Sequence, residues 1–425
     1  MNDIDRLYRC YKEASAVCTD TRTMMENCLF FCLSGEHFDG NTFAKEALDR
    51  GAKYVVIDNP AFKLNDACVC VSNTLKALQQ LAAYHRNCLK IPIIGITGTN
   101  GKTTTKELIH AVLAEKYRVA ATKGNFNNHI GVPLTLLSVK SDADIAIVEM
   151  GANHRDEIAF LCEIAKPDIG IITNIGKAHL EGFGSVEGII ETKKALYTSV
   201  NQSDGMLFVN ADDDLLMHLS ETANRLTYGK KGVIKGILNE NKLQMEFSLS
   251  NYPNPICTKL TGSYNFYNAM AAVAAGAYFS VPMEKTAQAL SSYLPDNSRS
   301  QIIQREGLTL ILDAYNANPS SMKLAIENIA GMDAENKVLL LGQMAELGEM
   351  TTAEHQFIVD LIQSFSFAKV FLFGSAFLKT TATPSWVYTD SQQLKNDLTQ
   401  SLPRGAVILV KGSRAMKMEQ FLDVL

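Results

Sequence analysis

Apolar and polar residues form two kinds of pattern along this chain, one typical of buried strands and the other typical of helices. Short apolar runs such as "PIIGIT", "DIAIVEM", "DIGIITNI" and "GMLFVNA" are typical of strands that are buried on both faces. Between them lie longer segments, for example "KELIHAVLAEKY", whose apolar residues recur at the spacing of one helical face. Because buried strands that alternate with helices form βαβ units, the pattern predicts an α/β fold with mostly parallel sheets.

The pattern divides into three zones, which we interpret as domains. Residues 1–90 contain the short strands "KYVVID" and "ACVCVS", followed by the helical segment "TLKALQQLAAYHRNCL". Residues 91–294 hold the apolar runs quoted above, and residues 295–425 repeat the alternation with "LTLILDAY", "KVLLLGQM" and "AVILVKG". Turn formers at 295–297 mark the second boundary. We expect a small N-terminal α/β domain, a central nucleotide-binding domain built on a parallel sheet, and a C-terminal Rossmann-like domain.

The stretch "GTNGKTT" joins one buried strand to the next helical segment. Gly98 and Gly101 can adopt backbone angles that let successive N–H groups converge on phosphate oxygens, and the helix that follows adds its positive dipole. Lys102 is then placed to reach the outer phosphates and the Thr103 hydroxyl to hold Mg²⁺. The loop is shorter than the common P-loop, since isoleucine occupies position 96. It predicts binding of a nucleoside triphosphate and by itself says nothing about the reaction.

Composition and charge exclude some classes of protein. Hydrophobic residues make up 47% of the chain and charged residues 20%, as in a globular protein with real cores. The formal net charge of -5 argues against a general nucleic-acid binder. No apolar run is long enough to span a bilayer, and the segment "MNDIDRLYRCYKEAS" lacks the apolar core of a secretory signal. We therefore expect a cytoplasmic protein that neither inserts into membranes nor binds nucleic acid.

The nine cysteines suggest neither a disulfide framework nor a metal site. Disulfides are not expected in a long chain without an export signal. Cys68 and Cys70 alternate in "ACVCVS" as buried strand residues do, and Cys28 and Cys32 flank the apolar "LFF". Because no further cysteine or histidine follows at close spacing, we expect buried free thiols rather than metal ligands.

Seven segments of the sequence indicate which reaction the protein catalyses. In chain order they are "GTNGKTT", "GNFNNHIGVPLTLL", "EMGANHRDEI", "TNIGKAHLEGFGS", "GSYNFYNAMAA", "DAYNANPSSM" and "LVKGSRAMKME". Together they resemble the ATP-dependent Mur ligases of peptidoglycan synthesis, and the resemblance extends from "DTRTMMENCLFFCLSGEHFDG" to the C-terminus. It implies that ATP phosphorylates the terminal carboxylate of a nucleotide-linked peptide and that an amine then attacks the acyl phosphate. "DAYNANP" and "LVKGSR" favour the family member that adds a dipeptide over those that add a single amino acid.

The resemblance also implies which residues hold ATP. The expected nucleotide contacts are Gly98, Thr99, Asn100, Gly101, Lys102, Thr103, Thr104, Asn265, Asn268, Arg299 and Asp313. A carboxamide can both donate to and accept from a purine edge, which suits the two asparagines of "GSYNFYNAMAA". The permanently charged fork of Arg299 suits an approach to the γ-phosphate, and Asp313 is implied as the carboxylate on the ribose hydroxyls.

Two Mg²⁺ sites follow from the same resemblance. The first is expected from Thr103 and Glu149, the second from His179 and from Lys193 after CO₂ has carbamylated that lysine, since a carbamate supplies the oxygen ligands that Mg²⁺ prefers. Lys194 is adjacent, so the choice between the two lysines stays open on the sequence. The expected catalytic positions are Lys102, His179, Lys193 and Arg299.

Two further sets of residues are implied for the peptide substrates. Contacts to a UDP-N-acetylmuramoyl-tripeptide are expected from Thr21, Arg22, Asp39, Gly40, Asn125, Asn127 and Asn128. Contacts to D-alanyl-D-alanine are expected from Asn316, Asn318, Ser413 and Arg414, with Arg414 as the receiver of the dipeptide carboxylate. We expect a monomer. Because the substrates are divided among three domains, we also expect the C-terminal domain to close before chemistry, with a hinge at 294–298.

Other functions share part of this pattern. A folylpoly-γ-glutamate synthetase or a Mur ligase that adds one amino acid has the same loop and metal sites, although "DAYNANP" and the N-terminal "FDG" argue against both. A nucleotide-dependent switch that performs no ligation has no need for the set Glu149, His179 and Lys193. The sequence also leaves open whether the third residue of the peptide is lysine or diaminopimelate.

Overall fold

This computed structural model describes residues 3–178, 180–240, 242–295 and 298–425. In these residues the chain forms three β-sheets, and helices pack against them. Each sheet occupies one stretch of the sequence, so the sheets succeed one another along the chain. Within the same residues, no helix combines the length and apolar character needed to cross a bilayer.

The N-terminal sheet has all its strands parallel, in the order β1-β2-β3-β4. Its elements are α1 (Asp3–Glu13), β1 (Val17–Cys18), β2 (Leu29–Phe31), α2 (Ala44–Asp49), β3 (Tyr54–Ile57), β4 (Cys68–Cys70) and α3 (Thr74–Cys88). On α3, Arg86 forms an ion pair of 2.8 Å with Asp168, which lies in the next domain. This helix therefore fixes the first domain to the second.

The central sheet runs in the order β13-β12-β11-β10-β9-β8-β5-β7-β6. The first half of its elements are β5 (Ile93–Thr97), α4 (Lys102–Ala114), β6 (Val119–Ala121), α5 (Gly131–Leu137), β7 (Ile145–Glu149), α6 (Glu157–Ala165), β8 (Ile169–Ile172), α7 (Leu180–Phe183) and α8 (Val186–Gln202). The second half are β9 (Met206–Asn210), α9 (Asp214–Leu219), β10 (Arg225–Gly229), β11 (Ile234–Asn239), β12 (Glu246–Leu249), β13 (Tyr252–Cys257), α10 (Asn265–Tyr278) and α11 (Met283–Ser292).

Strand β5 lies between β7 and β8, and every residue of these strands is buried. Because the three strands are parallel, their carboxyl ends meet at one edge of the sheet. That edge carries the loop that begins at Gly98, the side chain of Glu149 and the segment after Ile172. The packing of the strands thus brings three separate parts of the sequence together.

The C-terminal sheet runs in the order β14-β15-β19-β16-β17-β18. Its elements are β14 (Gln301–Arg305), β15 (Leu308–Asp313), α12 (Pro319–Gly331), β16 (Lys337–Gly342), α13 (Thr351–Gln363), β17 (Lys369–Phe373), β18 (Val387–Tyr388), α14 (Ser391–Ser401) and β19 (Val407–Lys411). One apolar core lies under α12 and α13, and another lies on the opposite face under α14. Helices on both faces of the sheet are what a Rossmann-like domain requires.

The predicted α/β fold is confirmed, with a difference at the sheet edges. Strands β12 and β13 are antiparallel additions to the central sheet, and β14 is an antiparallel addition to the C-terminal sheet. The central and C-terminal sheets are therefore mixed, whereas the N-terminal sheet is parallel. The domain boundaries at 90 and 294 stay predictions, and the turn formers Asp296 and Asn297 lie outside the described residues.

The cysteine prediction holds in part. Cys28, Cys32 and Cys68 are buried free thiols as expected. Cys70 is exposed, which corrects the expectation from "ACVCVS". The reason is its place as the last residue of β4, a strand at the edge of its sheet.

Candidate active site

The loop between β5 and α4 forms a tight cradle at the edge of the central sheet. Gly98 and Gly101 have φ angles of 148° and 79°. A Cβ atom at Gly98 would lie 1.9 Å from the Thr173 hydroxyl oxygen, and one at Gly101 would lie 2.6 Å from Asn268 Oδ1. Neither position can hold a side chain, so both glycines are required by geometry as well as by backbone angle.

The segment that follows β8 holds this loop in place. The Thr99 backbone N–H donates to the Asn174 carbonyl oxygen at 2.9 Å, and the Asn100 N–H donates to Asn174 Oδ1 at 3.0 Å. The Thr173 hydroxyl donates to the Asn100 carbonyl oxygen at 2.6 Å. Asn174 was not predicted as a site residue. It lies near the end of the apolar run "DIGIITNI", but its place beside this loop depends on the pairing of β8 with β5, which the sequence does not show.

Lys102 is folded back over the cradle. Its Nζ donates to the carbonyl oxygens of Gly98 at 2.7 Å and Thr99 at 3.1 Å. Removal from water lowers the pKa of Lys102 to about 8, with Glu149 opposing the shift and Arg299 adding to it. The ammonium group is therefore poorly neutralised by the protein itself and suits an anionic ligand in the loop.

Glu149, at the end of β7, is 1% exposed. Its Oε1 accepts a hydrogen bond of 2.8 Å from Asn127 Nδ2, whereas its Oε2 is buried without a partner among the described atoms. Burying a carboxylate oxygen without compensation is costly, so a cation is the expected partner. Thr103, at the start of α4, also lines the cavity described below, and its hydroxyl and Glu149 fit the first predicted metal site.

Lys193 lies behind the cradle on α8. Its side chain is 3% exposed, and its Nζ donates to the Gly98 carbonyl oxygen at 3.2 Å. Burial, followed by the nearby charge of Lys102, holds the pKa of Lys193 well below its usual range. Lys194 instead points to solvent, where it pairs with Glu191 at 3.8 Å. The two adjacent lysines thus have different environments, and of the two only Lys193 faces the cradle.

The second predicted metal site is incomplete in the described structure. His179, between β8 and α7, lies outside the described residues. In the remaining chain, no three His, Cys, Asp or Glu side chains converge into a metal-binding cluster. The second Mg²⁺ therefore stays a prediction.

A cavity of about 590 Å³ joins the central and C-terminal domains at the cradle. Most of the predicted site residues line it: Thr99, Asn100, Gly101, Lys102, Thr103, Thr104, Asn125, Asn127, Asn128, Glu149, Asn265, Asn268, Arg299, Asp313, Asn316 and Asn318. Other polar or charged residues of the lining were not predicted from the sequence, and these include His129, Asn153, His154, Glu157, Asn174, Tyr264, Ser300, Tyr315 and Ser321. The cavity thus brings together the loop, the acidic strand end and the C-terminal loops.

Asn265 and Asn268 connect α10 to the helix of the phosphate loop. Thr105 donates to Asn268 Oδ1 at 3.0 Å, Asn268 Nδ2 donates to Asn265 Oδ1 at 2.8 Å, and Asn265 Nδ2 donates to the Thr261 carbonyl oxygen at 2.7 Å. Both carboxamides are thus engaged in packing. Their predicted contact with adenine stays a prediction.

The C-terminal domain supplies charged groups to the cavity. The Arg299 guanidinium stacks on Tyr315 at 3.8 Å from the ring centre, and its Nε is buried without a partner among the described atoms. Asp313 ends β15 and pairs at 2.5 Å with Lys411, which ends the neighbouring strand β19. Lys411 is 2% exposed, so this pair is held away from water. Lys411 was not named among the expected contacts, although it lies in the quoted segment "LVKGSR".

The C-terminal domain also touches the cradle directly. Asn318 Oδ1 accepts from the Ser321 N–H and so caps α12, while its Nδ2 donates to Asn100 Oδ1 at 2.8 Å. Nearby, Lys177 forms an ion pair of 3.0 Å with Glu354 on α13. These contacts bring the loop at 316–318 over the cradle.

Several predicted substrate residues lie away from the cavity. Arg22 is exposed and pairs with Asp20 at 2.6 Å, next to Thr21. Asp39 caps a short turn, and Gly40 is fixed there because a Cβ would lie 2.0 Å from the Leu33 carbonyl oxygen. These positions belong to the N-terminal domain, and their contacts with substrate stay predictions.

The structure does not bring Ser413 or Arg414 to the cavity lining. Ser413 is buried with its hydroxyl unpartnered among the described atoms. Arg414 is exposed and pairs with Glu419 at 2.7 Å. Of the residues in "LVKGSR", it is Lys411 that lines the cavity, so it is better placed than Arg414 to meet a ligand carboxylate there.

Comparisons with known proteins cover the same three regions. Family models match at residues 13–86 (Mur ligase family, catalytic domain), 96–276 (Mur ligase middle domain) and 298–414 (Mur ligase, glutamate ligase domain). The UDP-N-acetylmuramoyl-tripeptide–D-alanyl-D-alanine ligase of Bacillus subtilis strain 168 is 38% identical over 429 residues, which span 96% of this chain and 92% of that protein.

Solved structures agree over the full length. MurF from Acinetobacter baumannii superposes with a TM-score of 0.86 at 28% identity, covering 99% of this chain and 97% of that chain. The MurF ligase of Thermotoga maritima in complex with ADP superposes with a TM-score of 0.83 at 26% identity, covering 100% of this chain and 98% of that chain. With matches in all three domains and a relative this similar over nearly its whole length, the chain belongs to the Mur ligase family.

Proposed function

We propose that this protein is an ATP-dependent ligase that joins D-alanyl-D-alanine to a UDP-N-acetylmuramoyl-tripeptide, the last cytoplasmic step in making the peptidoglycan pentapeptide precursor. The relatives that match over nearly the whole chain carry this activity in their names. One structural observation on this chain supports the proposal independently of the family. The phosphate cradle, the buried Glu149 and the loop at 316–318 of the third domain line a single cavity.

The reaction requires two anions to meet. A carboxylate of the tripeptide attacks the γ-phosphorus of ATP, ADP departs, and the resulting acyl phosphate accepts the dipeptide amine with release of phosphate. Phosphorylation supplies the leaving group that a free carboxylate lacks. The task of the protein is therefore to position these groups and to neutralise their mutual repulsion.

Residues of the cradle meet the first part of that task. The backbone N–H groups from Gly101 to Thr103, at the start of α4, and the dipole of that helix receive the phosphates. Lys102 exchanges its backbone carbonyl partners for phosphate oxygens, and Arg299 adds its fixed charge from the other side of the cavity. The ADP complex of the Thermotoga maritima structure supports the use of ATP by this fold.

Mg²⁺ completes the neutralisation when it is bound, because it draws charge from the phosphate oxygens. The orphaned Oε2 of Glu149 and the Thr103 hydroxyl fit one ion. For a second ion, we propose His179 together with Lys193 in carbamylated form. The low pKa of Lys193 favours its uncharged amine, which is the form that reacts with CO₂.

The acceptor enters from the C-terminal domain. Asn316 and Asn318 lie in the loop between β15 and α12, and Lys411 lies at the end of β19 next to it. We assign this end of the cavity to D-alanyl-D-alanine, with contacts from the N-terminal domain reserved for the UDP end of the other substrate.

ADP release tests the proposal. The purified protein is given ATP, Mg²⁺ and a UDP-N-acetylmuramoyl-tripeptide, and ADP is measured with and without D-alanyl-D-alanine. We expect sustained ADP release only when the dipeptide is present. Turnover with a single amino acid or with glutamate on a folate acceptor, but not with the dipeptide, would instead favour the related ligases. Supplying the tripeptide with either lysine or diaminopimelate identifies its third residue.

A further inference from the structure

Amide formation needs a proton acceptor that the roles assigned above do not provide. The amine of a dipeptide has a pKa of about 8, so most of it is an ammonium ion at neutral pH and cannot attack. Of the three acidic side chains that the described structure places at the cavity, Glu149 is assigned to a metal, Asp313 is paired with Lys411, and Glu157 accepts backbone N–H groups. A group that changes charge near neutral pH is the suitable acceptor, and histidine is the side chain with that property.

His154 is a histidine at this cavity. It lies in the loop between β7 and α6, five residues after Glu149, and lines the cavity. Its Nδ1 is 3.5 Å from Glu157 Oε1. The other oxygen of Glu157 accepts the backbone N–H groups of Asn153 at 2.7 Å and of His154 at 3.0 Å. The carboxylate is therefore held in place, and it faces one nitrogen of the ring.

Hydrogen bonding keeps this carboxylate charged. Burial works against ionisation, but the backbone N–H groups of Asn153 and His154 outweigh it and lower the pKa of Glu157. An anion fixed beside Nδ1 favours a proton on that nitrogen and stabilises the ring after it has taken a second proton at Nε2. A carboxylate–histidine pair of this kind is a recurrent device in acid–base catalysis.

The surroundings leave Nε2 available. Gly182 on α7 packs against this loop, where a Cβ would lie 2.0 Å from the Asn153 carbonyl oxygen and 3.1 Å from His154 Cδ2. The other charged groups nearby face elsewhere: Arg155 donates to the Phe183 carbonyl oxygen, and Glu181 lies against Gly348. Among the described residues, no hydrogen-bond partner is found for His154 Nε2, and the side chain is 70% exposed at the cavity.

We propose that His154, oriented by Glu157, is the general base that deprotonates the incoming amine; this inference rests on the ligase function proposed above. Nε2 takes one proton from the ammonium ion. The nitrogen lone pair then forms the C–N bond to the acyl carbon, and the bond from that carbon to the phosphate oxygen breaks with its electron pair. The departing phosphate takes the second proton of the nitrogen, so amide, hydrogenphosphate and a protonated imidazole result.

His129 is the competing histidine in the cavity. It too is exposed at the lining, but no carboxylate lies within ion-pair distance of its ring in the described part of the chain. His129 therefore lacks the neighbouring anion that would fix its tautomer and balance the charge of a protonated ring.

Two acceptors of different charge test the proposal. Hydroxylamine is largely uncharged at neutral pH and needs no base, whereas D-alanyl-D-alanine does. In His154→Asn, we expect kcat/KM for the dipeptide to fall by about 100-fold or more, while trapping of the acyl phosphate as hydroxamate stays at the wild-type rate. The dipeptide deficit should shrink as the pH rises, because more of the amine is then already uncharged.

The matched control is His218→Asn. His218, on α9, forms a similar exposed pair at 3.8 Å with Glu221, three residues later and just beyond the end of the helix. It should behave as wild type with both acceptors. Equal losses with dipeptide and hydroxylamine in His154→Asn, or no loss with either, would overturn the proposal, as would a dipeptide-specific loss in His129→Asn alone. If the wild-type protein releases ADP with neither acceptor, the ligase function itself is refuted.

Discussion

At the residue scale, the sequence was most informative where chemistry is local. Gly98, Gly101 and Lys102 could be assigned from one short segment, because the glycines and the lysine lie close together within it. The partners Asn174 and Lys411 could not, since each comes from the end of a different strand and reaches the site only through strand order. The exposed Arg414 shows the converse, because a charge in a family motif need not point into the cavity.

Lys193 and Lys194 provide a test at this scale. We expect Lys193→Ala to lose roughly 100-fold in turnover, the upper range for a group that supports a metal site. Lys194→Ala should stay close to wild type, because that side chain pairs with Glu191 at the surface. Short carboxylic acids should restore activity to Lys193→Ala better than chloride does, since only the acids replace the lost oxygens.

The carbamate has a readout that does not depend on activity. In carbon-13 NMR with labelled bicarbonate at neutral pH, we expect a carbamate signal from the wild type and from Lys194→Ala. The signal should be absent from Lys193→Ala. A signal that persists in Lys193→Ala but is absent from Lys194→Ala would assign the carbamate to Lys194. No carbamate signal from the wild type would refute the carbamylation.

At the element scale, the alternation of apolar runs and helical segments predicted the parallel strands of the sheets well. The edges were harder to predict. Strand β13 contains two prolines and β11 is only half buried, so neither shows the continuous apolar pattern of a central strand. The helices and strands that carry the site were predictable because they are the most buried ones.

Gly98 tests how tightly β5, β8 and the loop fit together. In Gly98→Ala the new methyl group would lie 1.9 Å from the Thr173 hydroxyl oxygen, so the loop has to move. We expect the affinity for ATP, measured by calorimetry, to fall more than about 10-fold, which corresponds to roughly 1.4 kcal/mol.

Gly405→Ala is the matched control for that substitution. Its φ is also positive, at 69°, but no atom lies within 4 Å of the added Cβ. This variant therefore has a backbone cost without a collision, and it should bind ATP as the wild type does. Equal losses of affinity in both variants would mean that the fit against Thr173 is unimportant.

At the scale of the whole molecule, the contacts between the second and third domains decide whether the site is assembled. Asn318 meets Asn100, and Lys177 meets Glu354, which is 4% exposed. The sequence predicted that the third domain closes over the cradle, but it could not predict these contacts, because they join residues far apart in the chain.

The ion pair between Lys177 and Glu354 makes closure testable. In Lys177→Met/Glu354→Gln we expect the radius of gyration from small-angle scattering to increase. The KM for D-alanyl-D-alanine should rise about 5-fold, as for a coupling of roughly 1 kcal/mol. Removing the exposed pair Lys395–Asp423, which lies within the third domain, should change neither quantity. Unchanged dimensions in the first variant would show that the pair does not hold the domains together.

The transfer of a carboxylate oxygen to phosphate tests the central claim most directly. The tripeptide is prepared with oxygen-18 in its terminal carboxylate, and the inorganic phosphate released with ATP, Mg²⁺ and D-alanyl-D-alanine is examined by mass spectrometry. If the cradle at Gly98–Thr103 directs the γ-phosphate onto that carboxylate, each phosphate released carries one labelled oxygen. Unlabelled phosphate, or label recovered in AMP, would contradict the acyl-phosphate mechanism.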